Sequence, residues 1–276
     1  MHTYKLSNGV EIPSVGFGTF KNTGETVYES VKEALRVGYR HIDTASMYNN
    51  EKEVGQAIKD SGVNRNEIFV TSKVWRTDRG YDKTIASFNR SLENLGLDYL
   101  DCILIHWPCP INKENYNEVN IDTWNALIDL YKSKKVRVIG VSNFLCHHIE
   151  PLLHSEIKPM MNQIEVHPGF MQKEIVNLCK REGILIEAWE PLAKGKILND
   201  ERIISLADKY HKSPAQICIR WSLDNGLLPL PKSATPSRIA ENLNVFDFEL
   251  EKDDIEFINN FEFIGGSKIN PDEVEP

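Results

Sequence analysis

The sequence offers no basis for a disulfide framework, a zinc site or a membrane span. Its five cysteines, Cys102, Cys109, Cys146, Cys179 and Cys218, are odd in number and form no CxxC pair, which suits a reducing compartment. No apolar run approaches the length needed to cross a bilayer. The first segment, MHTYKLSNGVEIP, has no apolar stretch of the kind a secretory signal carries, so the expected location is the cytoplasm. Positive charge is in deficit: 32 Lys and Arg against 40 Asp and Glu give a net charge of −8. An acidic surface argues against general nucleic-acid binding and against docking on anionic membranes, so any phosphate site must be a local cluster of cations. The dinucleotide fingerprint GxGxxG is missing too. GFGTF at 16–20 is rich in glycine, but its spacing is wrong for that motif. No linker, low-complexity stretch or repeat of 20–50 residues interrupts the chain.

The chain does carry a regular alternation. A hairpin is expected at the start, where TYKL and VEIP flank Asn8-Gly9, the pair preferred in type I′ turns. Eight strand-like runs follow, at 15–18, 40–45, 68–73, 99–107, 136–142, 161–165, 184–189 and 227–231. Helical patterns fill the gaps. Val27, Val31, Ala34 and Leu35 share one face before Gly38; Ile85, Phe88, Leu92 and Leu95 share another before Gly96; Leu178 precedes Gly183 in the same way. Ser213-Pro214-Ala215-Gln216 reads as an N-cap, a proline at the first helical position and a capping-box glutamine. Strands alternating with helices imply parallel pairing through right-handed crossovers. Eight such units in 276 residues favour an α/β fold of the (β/α)8 TIM-barrel type over an open sheet. The expectation is one barrel domain over 1–276 with an N-terminal β-hairpin and a short polar tail at about 265–276.

Three of these runs end in chemistry. Asp43 lies in the first, Lys73 closes the second, His106 lies near the end of the third, and Tyr48 follows Asp43 in the loop. Taken singly, Asp43 and Lys73 read as a structural ion pair, and Tyr48 and His106 as rim residues. Their convergence on the C-terminal face of one barrel, where active sites are built, favours a joint role. A tyrosine is a weak acid with an unperturbed pKa of about 10. A neighbouring cation that favours the phenolate makes it a better proton donor. Lys73 is placed to supply that cation, Asp43 to hold Lys73 charged, and His106 to orient an oxygen that is gaining negative charge. The pattern suits carbonyl reduction, in which hydride goes to carbon and a proton to oxygen. It does not by itself identify the hydride source.

After the eighth run, Lys232, Ser233, Thr235 and Arg238 open a helix, the position where barrels commonly hold phosphate. A solvated basic turn with a capped helix is the alternative. Other chemistries are less well served. A metal-dependent hydrolase using Asp43, His106 and His167 would lack an HxH pair on an early strand, and no metal is expected. A Schiff-base role for Lys73 is opposed by Asp43, which keeps the amine protonated.

In order along the chain, GFGTF, HIDTASMY at 41–48, TSKVW at 71–75, IHWP at 105–108, GVSNF at 140–144, NQIE at 162–165, EAWEPL at 187–192 and PKSATPSRIAEN at 231–242 resemble the aldo-keto reductase family. The resemblance implies a barrel enzyme that reduces aldehydes and ketones with NADPH, becoming NADP+. It makes Tyr48 the general acid, Lys73 and Asp43 its tuners, and His106 the residue that orients the carbonyl. It assigns Ser142, Asn143 and Gln163 to the nicotinamide carboxamide and Trp189 to stacking on the ring. Lys232, Ser233, Thr235 and Arg238 match the cradle of the 2′-phosphate, and Glu241 and Asn242 the contacts to adenine. Gly18, Thr19, Asp43, Pro191 and Leu192 complete the implied cofactor cleft. Phe20 stands where many members carry Trp, and Trp189 where Tyr is commoner. Glu190 and Lys194 fall in the loop that would cover the pyrophosphate, where Glu190 is an awkward charge unless it faces solvent or pairs with a lysine. The short C-terminal segment implies an open pocket lined by Phe20, Tyr48, Trp75, His106 and Trp107, hence broad specificity, in a monomer acting on small carbonyl compounds. The family also includes channel-associated subunits that bind NADPH and turn over slowly, so a sensor module is the second implied reading.

Overall fold

The structure, a computed structural model, describes residues 2–108 and 115–273. Cys109 lies outside them; Cys102, Cys146, Cys179 and Cys218 are free thiols.

The chain opens with an antiparallel hairpin, β1 (Thr3–Lys5) and β2 (Glu11–Pro13), in register Tyr4↔Ile12. It is not the expected two-residue type I′ turn, which requires positive φ at both central residues. Only Gly9 has one, at 85°. Gly9 N–H donates to the Leu6 carbonyl at 2.8 Å and Leu6 N–H to that of Val10 at 2.9 Å, giving a wider loop. Asn8 is freed for other partners: its side chain accepts from Val10 N–H and donates to the Arg137 carbonyl at 2.9 Å. With the Tyr4 hydroxyl donating to the Leu227 carbonyl, the hairpin is fastened to the entry ends of two barrel strands.

Eight parallel strands then form the barrel in sequence order: β3 (Phe17–Gly18), β4 (His41–Asp43), β5 (Phe69–Val74), β6 (Leu100–Ile105), β7 (Val136–Ser142), β8 (Met161–Glu165), β9 (Leu185–Trp189) and β10 (Leu228–Leu230). The ring closes where Gly16 and Gly18 donate to the carbonyls of Pro229 and Pro231, both at 3.1 Å. Proline has no N–H to give. Here both prolines act only as acceptors, and β10 is shorter than its apolar run. His106 and Trp107 likewise lie just beyond β6. The richness of β6 and β7 in Val, Ile and Leu follows from burial on both faces.

Helices cover the outside. Helix Gly24–Val37 buries Val27, Val31, Ala34 and Leu35 and ends at Gly38 with φ 115°; Gly96 and Gly183 end their helices in the same left-handed conformation. On helix Tyr81–Leu95 the buried stripe is Thr84, Ser87, Phe88, Ser91 and Leu95, while Ile85 and Leu92 are only partly buried. Thr84 and Ser87 donate to the carbonyl and carboxylate of Asp78, and at Leu95 a neighbouring helix, Glu51–Asp60, comes close. A methyl at Gly55 would fall 2.0 Å from the Leu95 carbonyl oxygen. Gly55→Ala must push two helix backbones apart. Urea unfolding is expected to show a loss of about 1–3 kcal/mol, the usual cost of overpacking.

Ser213 and Gln216 form the expected reciprocal capping box ahead of Pro214–Asp224. Among the described residues no helix is long and apolar enough to cross a membrane. The terminal segment lies against the barrel: Ser267 donates to Glu165 through its N–H at 2.7 Å and through its hydroxyl, and Asp272 lies 2.8 Å from the imidazoles of His147 and His148.

Candidate active site

The barrel's C-terminal face gathers the residues expected there. Asp43 ends β4. The chain then makes a single 3-10 turn, Ser46–Tyr48, closed by Asn49 in the left-handed region at φ 52°. Ser46 ties this turn to β5 by donating to the Lys73 carbonyl at 2.9 Å. The turn carries Tyr48 back over the barrel mouth, with its hydroxyl 3.3 Å from Lys73 Nζ.

Lys73 is fully buried and donates to Asp43 Oδ1 at 2.7 Å, Asp43 Oδ2 at 2.8 Å and the Thr44 carbonyl at 2.9 Å. Burial opposes its charge, but Asp43, then Tyr48, more than offset this and hold the ammonium above its ordinary pKa. Lys73 is therefore a fixed cation. The consequence for Tyr48 differs from the simple expectation. Burial pushes the phenol up, Lys73 pulls it down and Asp43 opposes Lys73; the net direction is upward. Lys73 limits the rise without reversing it, so the hydroxyl keeps its proton at neutral pH.

His106 packs edge-on against Tyr48 at 5.6 Å and Trp75 at 5.0 Å, and Phe20 lies 4.9 Å from the Tyr48 ring. Burial, then Lys73, holds the imidazole well below its ordinary pKa, so it is neutral. Its Nδ1 is buried without a hydrogen-bond partner among the described residues. Trp107 is nearly buried beside it and Phe20 is 44% exposed, so aromatic rings surround the Tyr48 phenol.

Beside this group runs a connected set of amides. Asn143, at φ 63°, donates to the His106 carbonyl at 2.9 Å and to Ser142 Oγ at 3.1 Å. It accepts from the Trp189 indole at 2.9 Å, and the Ser142 hydroxyl donates to the Gln163 carbonyl at 2.9 Å. The Trp189 indole is thereby fixed in orientation by an edge contact as well as by its packing.

Lys232, Ser233 and Thr235 follow β10 and lead into helix Pro236–Leu243, which carries Arg238. Ser233 is nearly buried, and its hydroxyl accepts from Thr235 N–H at 3.0 Å just before helix Pro236–Leu243. Burial, then Lys21, lowers the Lys232 pKa. Among the described residues no carboxylate forms an ion pair with Lys232 or Arg238. Gly18 lies beside Lys232: a methyl there would meet the Leu230 carbonyl oxygen at 3.6 Å and Lys232 Cβ at 3.8 Å, both ordinary contacts. Thr19 is locked to the Asp43 carbonyl through both N–H and hydroxyl. Asn242 is buried and Glu241 half-exposed on the same helix.

Pro191 is buried and Leu192 partly so, in the loop after β9. There Glu190, at φ 54°, reaches Lys194 at 3.9 Å. Burial pushes its carboxyl up to about 7 against the pull of Lys194, so the awkward charge is partly neutralised. His167 lies 3.6 Å from Glu165, which also accepts from Ser267, away from Asp43 and His106.

Two residues escaped the sequence reading. Glu187, in β9, is fully buried. The Gln163 side-chain amide donates to it at 2.6 Å and to Asp43 at 2.8 Å. His41 in β4, also fully buried, lies 3.4 Å from Glu187 and 3.2 Å from the Thr71 hydroxyl. The available signal was an acid flanked by Ile186 and Ala188 within an apolar strand.

A fully buried Lys–Asp pair beneath a tyrosine and a neutral histidine, on a TIM barrel with no Rossmann unit, defines a carbonyl oxidoreductase site. The aldo/keto reductase family model matches residues 14–262, and the chain belongs to that family. It is 51% identical over 277 residues to the glyoxal reductase of Bacillus subtilis, covering 99% of this chain and 97% of that one. The fold superposes with TM-score 0.94 on MGS-M4, an aldo-keto reductase from a Medee basin deep-sea metagenome library, at 42% identity with 99% of this chain and 100% of that chain covered. It superposes at 0.92 on a mutant of Gox0644 in complex with NADPH, at 38% identity with 100% and 99% covered.

Proposed function

We propose that this chain reduces small aldehydes and ketones to alcohols with NADPH as hydride source, as a cytoplasmic monomer whose single barrel is the whole catalytic unit. The observation that carries the reading is the Tyr48 hydroxyl 3.3 Å from an amine that Asp43 holds permanently charged. Bound NADPH would supply hydride to the carbonyl carbon. Tyr48 gives its phenolic proton to the carbonyl oxygen, and Lys73 stabilises the phenolate left behind. Asp43 keeps Lys73 charged and fixed. The neutral His106 ring donates a hydrogen bond that sets the direction of the carbonyl. Ser142, Asn143 and Gln163 hold the carboxamide end of the cofactor, with Trp189 against its ring. Lys232, Ser233, Thr235 and Arg238 take the 2′-phosphate, and Gly18, Thr19, Pro191, Leu192, Glu241 and Asn242 line the rest of the cleft. Phe20, Trp75 and Trp107 form an open substrate wall that suits small, varied carbonyl compounds, dicarbonyls among them.

The test follows loss of reduced-nicotinamide absorbance with NADPH and then NADH against glyoxal, methylglyoxal, a nitrobenzaldehyde and a simple ketone. Turnover with NADPH is expected; tight NADPH binding without turnover would favour a sensor instead. Arg238→Ala separates the cofactors. It is expected to weaken NADPH by about 1.5–3 kcal/mol, the worth of a hydrogen bond to a charged group, and to leave NADH almost unchanged. Equal weakening of both, measured by fluorescence titration, would refute the phosphate assignment.

A further inference from the structure

Below the catalytic face, Gln163 is held by two carboxyls at once. Its side-chain nitrogen has two N–H groups; one goes to Asp43 Oδ2 at 2.8 Å and the other to Glu187 Oε2 at 2.6 Å. Asp43 is matched by Lys73, but no cation is left for Glu187. His41 is the nearest basic group, and its Nε2 lies 3.4 Å from Glu187 Oε1 without a hydrogen bond between them. Burial, then Lys73, lowers the His41 pKa to about 3, so it brings no charge. The other titratable groups facing Glu187 across the barrel are Asp43, Lys73, Tyr48 and the buried Cys102 thiol. Burial and the nearby Asp43 push the Glu187 carboxyl up to about 8, against the opposing pull of Gln163 and Lys73. At neutral pH this group therefore holds Asp43 as its anion, Lys73 as its cation and Glu187 as a protonated acid. Above about 8 it gains a second anion that Lys73 must share.

We propose that Glu187 is a positioning residue of the reductase: it fixes the Gln163 amide, and by keeping its proton it leaves Lys73 free to support Tyr48, so turnover falls when Glu187 ionises. This rests on Tyr48 being the proton donor. A second negative charge raises the phenol further and opposes the build-up of phenolate, so the effect on turnover has one sign. Tyr48 already titrates above its ordinary value, outside the window in which Glu187 changes charge.

The experiment is kcat against pH at saturating NADPH for wild type and Glu187→Gln, which keeps an acceptor for Gln163 but cannot ionise. Wild type is expected to lose at least roughly threefold between about pH 7 and pH 9.5, and the variant to stay flat. Profiles that fall together overturn the proposal. A measurement that leaves Glu187 in place guards against a Glu187→Gln variant that does not fold. In Glu190→Gln, which removes the other raised carboxyl, a protonated-carboxyl infrared band should be present at about pH 7 and gone by about pH 9.5. Its absence at pH 7 also overturns the proposal. Turnover surviving in Tyr48→Phe would instead remove the donor assignment on which the proposal rests.

Discussion

Tyr48→Phe is expected to lose on the order of 10²–10⁴-fold in kcat, the usual worth of a positioned general acid. The substitution removes one hydroxyl and keeps the ring. The packing of that ring on Phe20 at 4.9 Å and on His106 at 5.6 Å needs no oxygen. Lys73 retains three donations, to both Asp43 oxygens and the Thr44 carbonyl, so the interior charge balance survives. The side chains of Ser142, Asn143 and Gln163 do not contact the phenol, and the cations near helix Pro236–Leu243 are not tied to it. NADPH affinity should therefore stay close to wild type. Fluorescence titration of NADPH, with single-turnover absorbance for the chemical step, separates the two effects. Full activity in this variant would end the proton-donor assignment. Equal loss of affinity and rate would mean that the hydroxyl holds the cofactor in place.

That contrast also marks what a linear sequence can carry. Asp43, Lys73 and His106 were legible because a parallel barrel turns the end of each strand toward one face, so position in a run is position in space. The capping box at Ser213 and the left-handed glycines after three helices were legible because each depends on neighbours within a few residues. The Glu187–Gln163–Asp43 bridge was not legible, because it joins β9, β8 and β4. Strand alternation says that Glu187 points to one side of the sheet without saying which partners meet it inside the ring. The direction of the Tyr48 shift was hidden for the same reason. A lysine nearby suggests a lowered pKa, but burial and Asp43 act on the same phenol and outweigh it. The turn at Asn8-Gly9 misled differently. The dipeptide favours a tight turn, yet Asn8 gains more by reaching Val10 and Arg137, so contacts with the barrel prevailed over local preference.

Lys73→Met carries the largest combined effect, a loss of stability together with nearly all activity. Lys73 and Asp43 are 0% and 5% exposed at their side chains and meet at 2.7 Å. Removing one member of a buried pair leaves the other as an uncompensated charge, typically at a cost of about 3–5 kcal/mol. Asp43 would keep its bond from Gln163, but three ammonium donations disappear, two to its own oxygens. Tyr48 would lose the one group in its surroundings that lowers its pKa, and its phenol would rise further. Adding Asp43→Asn to Lys73→Met tests this account. The double variant removes the orphaned charge, so it should recover much of the stability in urea unfolding while remaining inactive, because nothing then supports a phenolate at Tyr48. Recovery of both would show that Lys73 serves only to neutralise Asp43. Recovery of neither would mean that packing of the lysine stem, rather than its charge, holds the barrel centre together.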